Sequence, residues 1–156
     1  MSVDPLVYSS RWKVRPYELD GNGHVNNAVY LNYAEALTIE HAELSGYGAD
    51  WTRAQGGAWL VHRSIVTHHL PAVYGDELEL TVQVELVKGV RGVRRTRIAR
   101  AGDGAEVAEV LTEWVWVGLD GKPRLVPAEL VELARSATEA TLARNPNFVR
   151  DVGRRI

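Results

Sequence analysis

Residues 20–37 read DGNGHVNNAVYLNYAEAL, a polar loop punctuated by glycines that runs directly into an apolar segment. The loop brings together a carboxylate, an amide and an imidazole, on Asp20, Asn22 and His24. The glycines between them permit a sharp turn, since glycine adopts positive φ without a Cβ clash. The apolar segment, residues 28 to about 46, is long enough for one helix of about five turns.

The start of this predicted helix has the features of an anion-binding site. Asn26 and Asn27 lie there, and asparagine is a favoured N-cap because its side-chain oxygen accepts a hydrogen bond from a first-turn amide. Unpaired amides at a helix start stabilise an anion or a developing oxyanion. The sequence therefore predicts an active site where the loop meets the helix.

The helix is apolar on most of its surface. The residues of one face recur at steps of three and four, and they are Tyr30, Tyr33, Ala34, Leu37, His41 and Leu44. The other face is also largely apolar, with Val29, Leu31, Ala36 and Ile39. Such a helix is expected to be buried, and Gly46 and Gly48 are expected to end it.

Segments of β-type sequence lie on both sides of the helix. Residues 10–17 alternate well enough for a strand, and Pro16 suits a strand end because it has no amide hydrogen. After the helix come four long strand-like segments, separated by turn-forming residues, at 58–70, 77–87, 93–101 and 106–117. A helix-like segment at 128–144 follows Pro127, and the tail from Asn145 is polar.

This order of elements predicts an α+β fold, in which a curved antiparallel sheet of five to six strands wraps around the long central helix. Strands joined by hairpins form antiparallel sheets, and an apolar helix must pack against another element. One sheet leaves its edges and its second face unexplained, so a dimer at least is expected. Residues 1–135 are assigned to a single domain, and residues 136–156 to a C-terminal helical or flexible tail.

Composition restricts the classes of function. The 156 residues include no cysteine, which excludes disulfides, zinc–thiolate sites and a thiol nucleophile. The net charge of −2 does not indicate a nucleic-acid binder. No signal peptide or run of membrane-spanning length is visible, so a cytoplasmic protein that binds neither membrane nor nucleic acid is expected. His62, His68 and His69 are not predicted to bind a metal, because neighbours on a strand point to opposite faces.

The loop and helix also carry a resemblance to a known family. The pattern Asp-x-x-Gly-His-Val-Asn-Asn-x-x-Tyr-x-x-Tyr-x-Glu, which runs from Asp20 to Glu35, resembles that of hotdog-fold acyl-CoA thioesterases of the 4-hydroxybenzoyl-CoA thioesterase-like family. Residues 70–78 (LPAVYGDEL) and 114–117 (WVWV) support the match. The spacing Asp-x-Asn-x-His-Val-Asn-Asn is also similar to that of plant acyl-acyl-carrier-protein thioesterases.

The resemblance implies hydrolysis of acyl-CoA or acyl-carrier-protein thioesters without metal or cofactor, with coenzyme A as part of the substrate. It further implies a homodimer or a tetramer made of two dimers, with the acyl site between subunits. The chain departs from the family in two places. Asn27 stands where one branch has a histidine, and residues 62–66 lack the glutamate that the plant enzymes use.

The chemistry of thioester hydrolysis assigns a role to each residue of the loop. Asp20 is the candidate general base or, alternatively, the nucleophile. Backbone amides around Asn27 and Ala28 would polarise the carbonyl. His24 and Asn22 would orient water or the aspartate. Additional substrate-binding candidates are Tyr17, Ala28, Tyr30 and Glu35; Tyr30 also fits helix packing, and Glu35 a structural carboxylate.

Arginines are concentrated between residues 88 and 100 of a nearly neutral protein. One interpretation is a surface for the phosphates of coenzyme A, on which Arg91 and Arg94 would bind, since guanidinium groups match phosphate geometry. The alternative is a solvated strand face at a hairpin.

Two other functions remain open from the sequence. A hotdog hydratase or dehydratase would carry an Asp-x-Asn-Pro-x-His pattern, whereas here Gly23 replaces the proline and His24 comes one residue early. A non-catalytic acyl-CoA-binding protein would keep the fold without turnover.

Overall fold

The computed structural model describes residues 3–148. Within that range the chain forms five strands, β1 to β5, which span Val7–Lys13, Gly57–His68, Glu77–Lys88, Arg91–Arg100 and Glu106–Gly118. Four α-helices, α1 to α4, span Val29–Ser45, Ala49–Ala54, Ala128–Leu133 and Arg135–Arg144. The predicted α+β architecture, with one long helix and a five-stranded sheet, is confirmed.

The sheet has the order β1-β3-β4-β5-β2, and every neighbouring pair is antiparallel. The strands β3, β4 and β5 are joined by hairpins, as the glycine-containing turns predicted. The strand β1 pairs with β3, and β2 pairs with the free side of β5. As a result β1 and β2 are the two edges of the sheet.

The helix α1 packs across the inner face of this sheet. Alternate residues of β3 point inward, and Leu78, Leu80 and Val82 are fully buried there against Leu37 of α1. The prediction that α1 is covered on most sides does not hold within the described part of one chain. Large apolar side chains on its other side are 39% to 54% exposed; they are Leu31, Ile39 and Leu44.

Several boundaries differ from the prediction, and the strand β4 begins at Arg91, two residues before its predicted start. The first strand begins earlier, at Val7, and ends at Lys13, and Pro16–Glu18 is a 3₁₀ turn. Proline favours this because its fixed φ suits the first position of a helical turn. The helix predicted over 128–144 is broken at Ala134 into α3 and α4.

The break at Ala134 lets the C-terminal segment turn onto the outer face of the sheet. The helix α3 packs at one end of the sheet, near Val84 and Val87. A β-bulge between Val84 and Leu86 then directs Leu86 outward, where it packs with Phe148 beyond α4. The described part of the predicted tail therefore contacts the sheet, and residues 149–156 lie outside the described residues.

Candidate active site

The loop that contains Asp20 is a closed turn. Leu19 and Val25 pair as an isolated bridge, and the Asp20 amide donates to the carbonyl of His24 at 2.7 Å. Gly23 closes the turn with φ +77°, a conformation that glycine adopts without strain. The glycine spacing of the sequence thus sets the shape of the loop.

Backbone amides hold the Asp20 carboxylate. Its Oδ1 accepts hydrogen bonds from the amides of Asn22 at 2.8 Å and His24 at 3.1 Å. The second oxygen, Oδ2, has no hydrogen-bond partner among the described residues, and the residue is partly exposed. One oxygen therefore fixes the orientation of the carboxylate while the other is open to a reactant.

Asn22 and His24 contact Asp20 through their backbones and not through their side chains. Both side chains are exposed, and neither touches the Asp20 carboxylate within the described part of the chain. The amide and imidazole groups therefore do not orient the aspartate, and their alternative role of orienting water stays a prediction. The orientation comes from main-chain amides, which any residue type except proline supplies.

Three further contacts dock the loop on the rest of the fold. The Asn26 amide donates to the carbonyl of Glu18 at 2.8 Å, and the Val25 amide to the carbonyl of Ala72 at 2.9 Å. His24 pairs with Val73 as an isolated bridge. The loop is thereby placed between the 3₁₀ turn and the segment that precedes β3.

The helix start offers an open amide next to the loop. Asn26 Oδ1 accepts from the Ala28 amide at 3.0 Å, and the Asn26 carbonyl accepts from the Val29 amide at 2.9 Å. Ala28 is therefore already paired, contrary to its predicted part in polarising a carbonyl. The Asn27 amide has no hydrogen-bond partner among the described residues and is exposed, so it is the candidate oxyanion donor.

A buried residue that the sequence analysis did not identify, Glu18, connects this site to the core. Glu18 is 7% exposed, and its Oε1 accepts from the Arg15 amide and from the Tyr33 hydroxyl, each at 2.7 Å. Burial, together with the hydrogen bond to Glu18, raises the pKa of Tyr33 above its usual range. No local pattern links Glu18 to a tyrosine 15 residues later, so only the tertiary structure reveals the pair.

Tyr30 belongs to the core and does not line the open side of the loop. It is 2% exposed, and its ring meets the edge of His68 at a centroid distance of 5.5 Å. Burial raises its pKa, and the charges of Asp76 and Asp20 raise it further. The structure thus favours the interpretation that Tyr30 packs in the core. Tyr17, the other tyrosine among the substrate-binding candidates, is 78% exposed.

The predicted pair of phosphate-binding arginines is divided between the two faces of β4. Arg91 lies on the outer face, 3.9 Å from Glu113 Oε2. Arg94 lies on the inner face, where Nη1 is 2.8 Å from His41 Nδ1. The two side chains therefore do not form one surface. Arg95 of the same run is ion-paired with Glu85 and Glu109.

A cavity of about 440 Å³ lies between the second half of α1 and the inner face of the sheet. Glu35 and Arg94 are on its lining, and the substrate-binding role of Glu35 stays a prediction. The remainder of the lining is mainly apolar and includes Trp59 and Trp114. The volume falls in the range of small-molecule sites.

The described residues form neither a metal site nor a membrane-spanning helix. No group of three or more His, Asp or Glu side chains is arranged to hold a metal ion in residues 3–148. None of the helices in that part of the chain is both long and apolar enough to cross a membrane.

Comparison with known proteins gives consistent matches. The family model described as the thioesterase-like superfamily matches residues 14–135. The long-chain acyl-CoA thioesterase FadM of Escherichia coli K12 is 34% identical over 107 residues, which are 69% of this chain and 80% of FadM. The acyl-CoA thioester hydrolase YbgC of Escherichia coli O157:H7 is 30% identical over 124 residues, 78% of this chain and 92% of YbgC.

A solved structure agrees with these matches. The crystal structure of YbaW, a probable thioesterase from Escherichia coli, superimposes with a TM-score of 0.74 at 30% identity. The superposition covers 83% of this chain and 98% of YbaW. The family-model match, at residues 14–135, includes the loop at residues 20–25 and the central helix.

Proposed function

The chain belongs to the thioesterase-like superfamily, and we propose that it hydrolyses acyl-CoA or acyl-carrier-protein thioesters to a free acid and a thiol. The family resemblance predicted from the residues, together with its hotdog fold, is confirmed. The names of the relatives FadM and YbgC support the class of reaction.

The observation that carries the proposal is the placement of Asp20. One oxygen of its carboxylate is held by two backbone amides and the other is open, on a loop that leads into the unpaired Asn27 amide at the start of α1. A thioester carbonyl that accepts from this amide would have its carbon presented to a water molecule at Asp20. Loss of one such donor elsewhere costs about 3–4 kcal/mol, so the amide can supply a large part of the catalysis.

In the proposed reaction Asp20 Oδ2 removes a proton from water, and the water oxygen bonds to the carbonyl carbon. The negative charge that develops on the carbonyl oxygen is stabilised by the Asn27 amide. The carbon–sulfur bond then breaks, and the thiolate takes up the proton from Asp20, which regenerates the carboxylate. In the alternative, Asp20 itself attacks the carbonyl and the carbon–sulfur bond breaks, which gives an anhydride and a thiolate. Water then hydrolyses the anhydride to the free acid and the Asp20 carboxylate, and the proton released from water is taken up by the thiolate.

We propose that the working unit is a homodimer formed through β2, either alone or as one half of a tetramer made of two dimers. The outer edge of β2 has no partner strand among the described residues, and an unpaired edge is a template for pairing. Leu60 and Val61 of this strand are 53% and 46% exposed, and α1 exposes Ile39. A second copy placed on β2 would cover these side chains.

A panel of acyl-CoA and acyl-carrier-protein thioesters, followed by release of free thiol, tests the proposal. The purified chain should release thiol in the presence and absence of a metal chelator, because no metal takes part in the proposed reaction. Tight binding of an acyl-CoA without thiol release would support a binding protein instead. Hydration of an enoyl thioester without thiol release would support a hydratase. The cytoplasmic location predicted from the sequence stays a prediction.

A further inference from the structure

Arg94 is a cation inside an apolar cavity without an acidic partner. Its Nη1 is 2.8 Å from His41 Nδ1, and no carboxylate of residues 3–148 lies within 4.0 Å of its guanidinium nitrogens. Burial lowers the pKa of Arg94 to about 10. By contrast, its neighbour Arg95 on the outer face is paired with two glutamates.

His41 holds Arg94 in place but does not neutralise it. The imidazole is fully buried, and its Nε2 is 2.7 Å from the carbonyl oxygen of Asp4. Nε2 must carry the hydrogen, because a carbonyl only accepts, so Nδ1 is the acceptor for Arg94. The ring also stacks on Tyr8 at a centroid distance of 5.5 Å. Arg94 is therefore anchored by a neutral, fixed group.

The guanidinium group has hydrogen-bonding capacity left for a ligand. It carries five N–H donors, of which His41 accepts one. Arg94 lines the cavity of about 440 Å³ together with apolar side chains from α1, β2, β3, β5 and α3; these include Ile39, Trp59, Val84, Trp114 and Leu130. A planar fork of donors at an apolar site matches a carboxylate attached to an apolar body.

Two acidic residues on the cavity lining do not neutralise the charge of Arg94. Glu43 Oε1 accepts from the Ala49 amide at 2.9 Å, so this carboxylate is engaged at the start of α2. Glu35 is exposed, at the solvent side of the lining. Neither lies within ion-pair distance of Arg94.

We propose that Arg94 binds a carboxylate at the far end of the acyl group, so that the preferred substrates are thioesters of dicarboxylic acids. This inference rests on the proposed thioesterase function. From Asn27 to His41 the helix rises about 20 Å, so an acyl group that starts at the Asn27 amide and ends at Arg94 has a long apolar spacer. The cavity lining begins at Glu35 on α1, so its apolar walls would surround the part of the spacer that lies next to Arg94.

Matched pairs of acyl-CoA thioesters, equal in chain length and differing only in a terminal carboxylate, test the proposal. Pairs of short, medium and long chain should be compared by kcat/KM. For the wild-type protein the carboxylated long-chain ester is expected to exceed its unsubstituted partner by about tenfold or more. Preference for the unsubstituted member at every length would overturn the proposal even if Arg94 variants do not fold.

The substitution Arg94→Met removes the charge and keeps an apolar stem. It should lower the kcat/KM ratio of carboxylated to unsubstituted ester by about tenfold or more, and Arg94→Lys should restore part of it. Arg97→Met, on the outer face of the same strand, is the matched control and should leave the ratio as in the wild type. An unchanged ratio in Arg94→Met would contradict the inference.

A binding measurement separates this inference from the proposed reaction. A long-chain dicarboxylic acid should raise the thermal midpoint of the wild-type protein more than the monocarboxylic acid of equal length. This difference should disappear in Arg94→Met. Thiol release from unsubstituted esters alone, with no difference in binding, would leave the hydrolase proposal standing and refute the role of Arg94. No thiol release from any ester, with the binding difference present, would refute the hydrolase and retain the carboxylate site.

Discussion

The hydroxyl of Tyr33 donates a hydrogen bond of 2.7 Å to Oε1 of Glu18, and this bond ties α1 to the turn that leads into Asp20. The same carboxylate oxygen accepts from the Arg15 amide at 2.7 Å. The backbone carbonyl of Glu18 also accepts a hydrogen bond from the Asn26 amide at the other end of the loop. One buried acid therefore links the two ends of the loop that contains Asp20 to the central helix.

Tyr33→Phe is expected to destabilise the protein and to lower turnover. The change leaves a buried carboxylate with one hydrogen bond fewer, which costs about 1–3 kcal/mol. Chemical denaturation should show this loss in the free energy of unfolding, and kcat should fall because the loop is less firmly placed. Tyr74→Phe, at a 63% exposed position, is the control and should change neither quantity. Equal stability of Tyr33→Phe and the wild type would mean that the bond does not support the fold.

Asp20→Asn should lower kcat by about 10²-fold or more without unfolding the protein, because the amide oxygen still accepts from Asn22 and His24 while the base is lost. Thiol release and a thermal melt of the same preparation measure the two effects. Asp20→Ala should lose both turnover and loop stability, since it removes the acceptor as well. Turnover of Asp20→Asn close to that of the wild type would remove Asp20 from the mechanism.

Asn26 and Asn27 should respond differently to alanine, although they are adjacent. Asn26→Ala removes the acceptor for the Ala28 amide and is expected to cost about 0.5–2 kcal/mol of stability. Asn27→Ala keeps the backbone amide that is assigned to the oxyanion, so kcat should change by less than about threefold, far below the effect of losing such a donor. Denaturation and steady-state kinetics of the two variants test this contrast. A large loss of kcat in Asn27→Ala would assign the catalytic role to its side chain.

Stability should fall as the pH drops below about 6.5, because His41 is buried in its neutral form. Burial, and to a lesser degree the charge of Arg94, lowers the pKa of His41. Below the pKa of the unfolded chain, about 6.5, the unfolded state binds a proton that the folded state does not, and stability decreases by up to about 1.4 kcal/mol per pH unit. Above that pH the contribution is fully present.

The measurement is the free energy of unfolding between about pH 8 and pH 5, compared with that of His41→Gln. The wild-type curve should be steeper on the acidic side. The same acidic slope in both proteins would show that another group causes the pH dependence.

Val61→Glu should dissociate the proposed dimer. The residue lies on the edge strand β2 and is 46% exposed in one chain, so a charge there would be buried by a second copy. Sedimentation should give a mass near 17.3 kDa for this variant and about twice that for the wild type. Val7→Glu is the matched control, on the opposite edge strand β1 at 40% exposure, and should stay dimeric. A monomeric wild type with full activity would contradict the proposed interface.

Local sequence determined the order of the helices and strands and the position of the loop that contains Asp20. The alternation in β3, the apolar spacing in α1 and the glycines of the loop act over a few residues, so each is readable without the fold. The α1 prediction agrees with the structure within about one residue at each end. The same spacing did not reveal that Ala28 is already paired or that Asn22 and His24 act through their backbones.

Other features depended on contacts between distant parts of the chain. The Glu18–Tyr33 bond joins residues 15 apart, and the Arg94–His41 bond joins residues 53 apart. Side chains alternate between the two faces of a strand, so Arg91 and Arg94 lie on opposite faces if both belong to β4. The predicted strand began at residue 93 and excluded Arg91, so the sequence alone did not separate the two arginines. The sequence by itself determined the fold class and the choice of Asp20 as the candidate base, because both follow from local pattern. The tertiary structure alone decided which cations are neutralised and which face a cavity, because pairing depends on strand register and on helix packing.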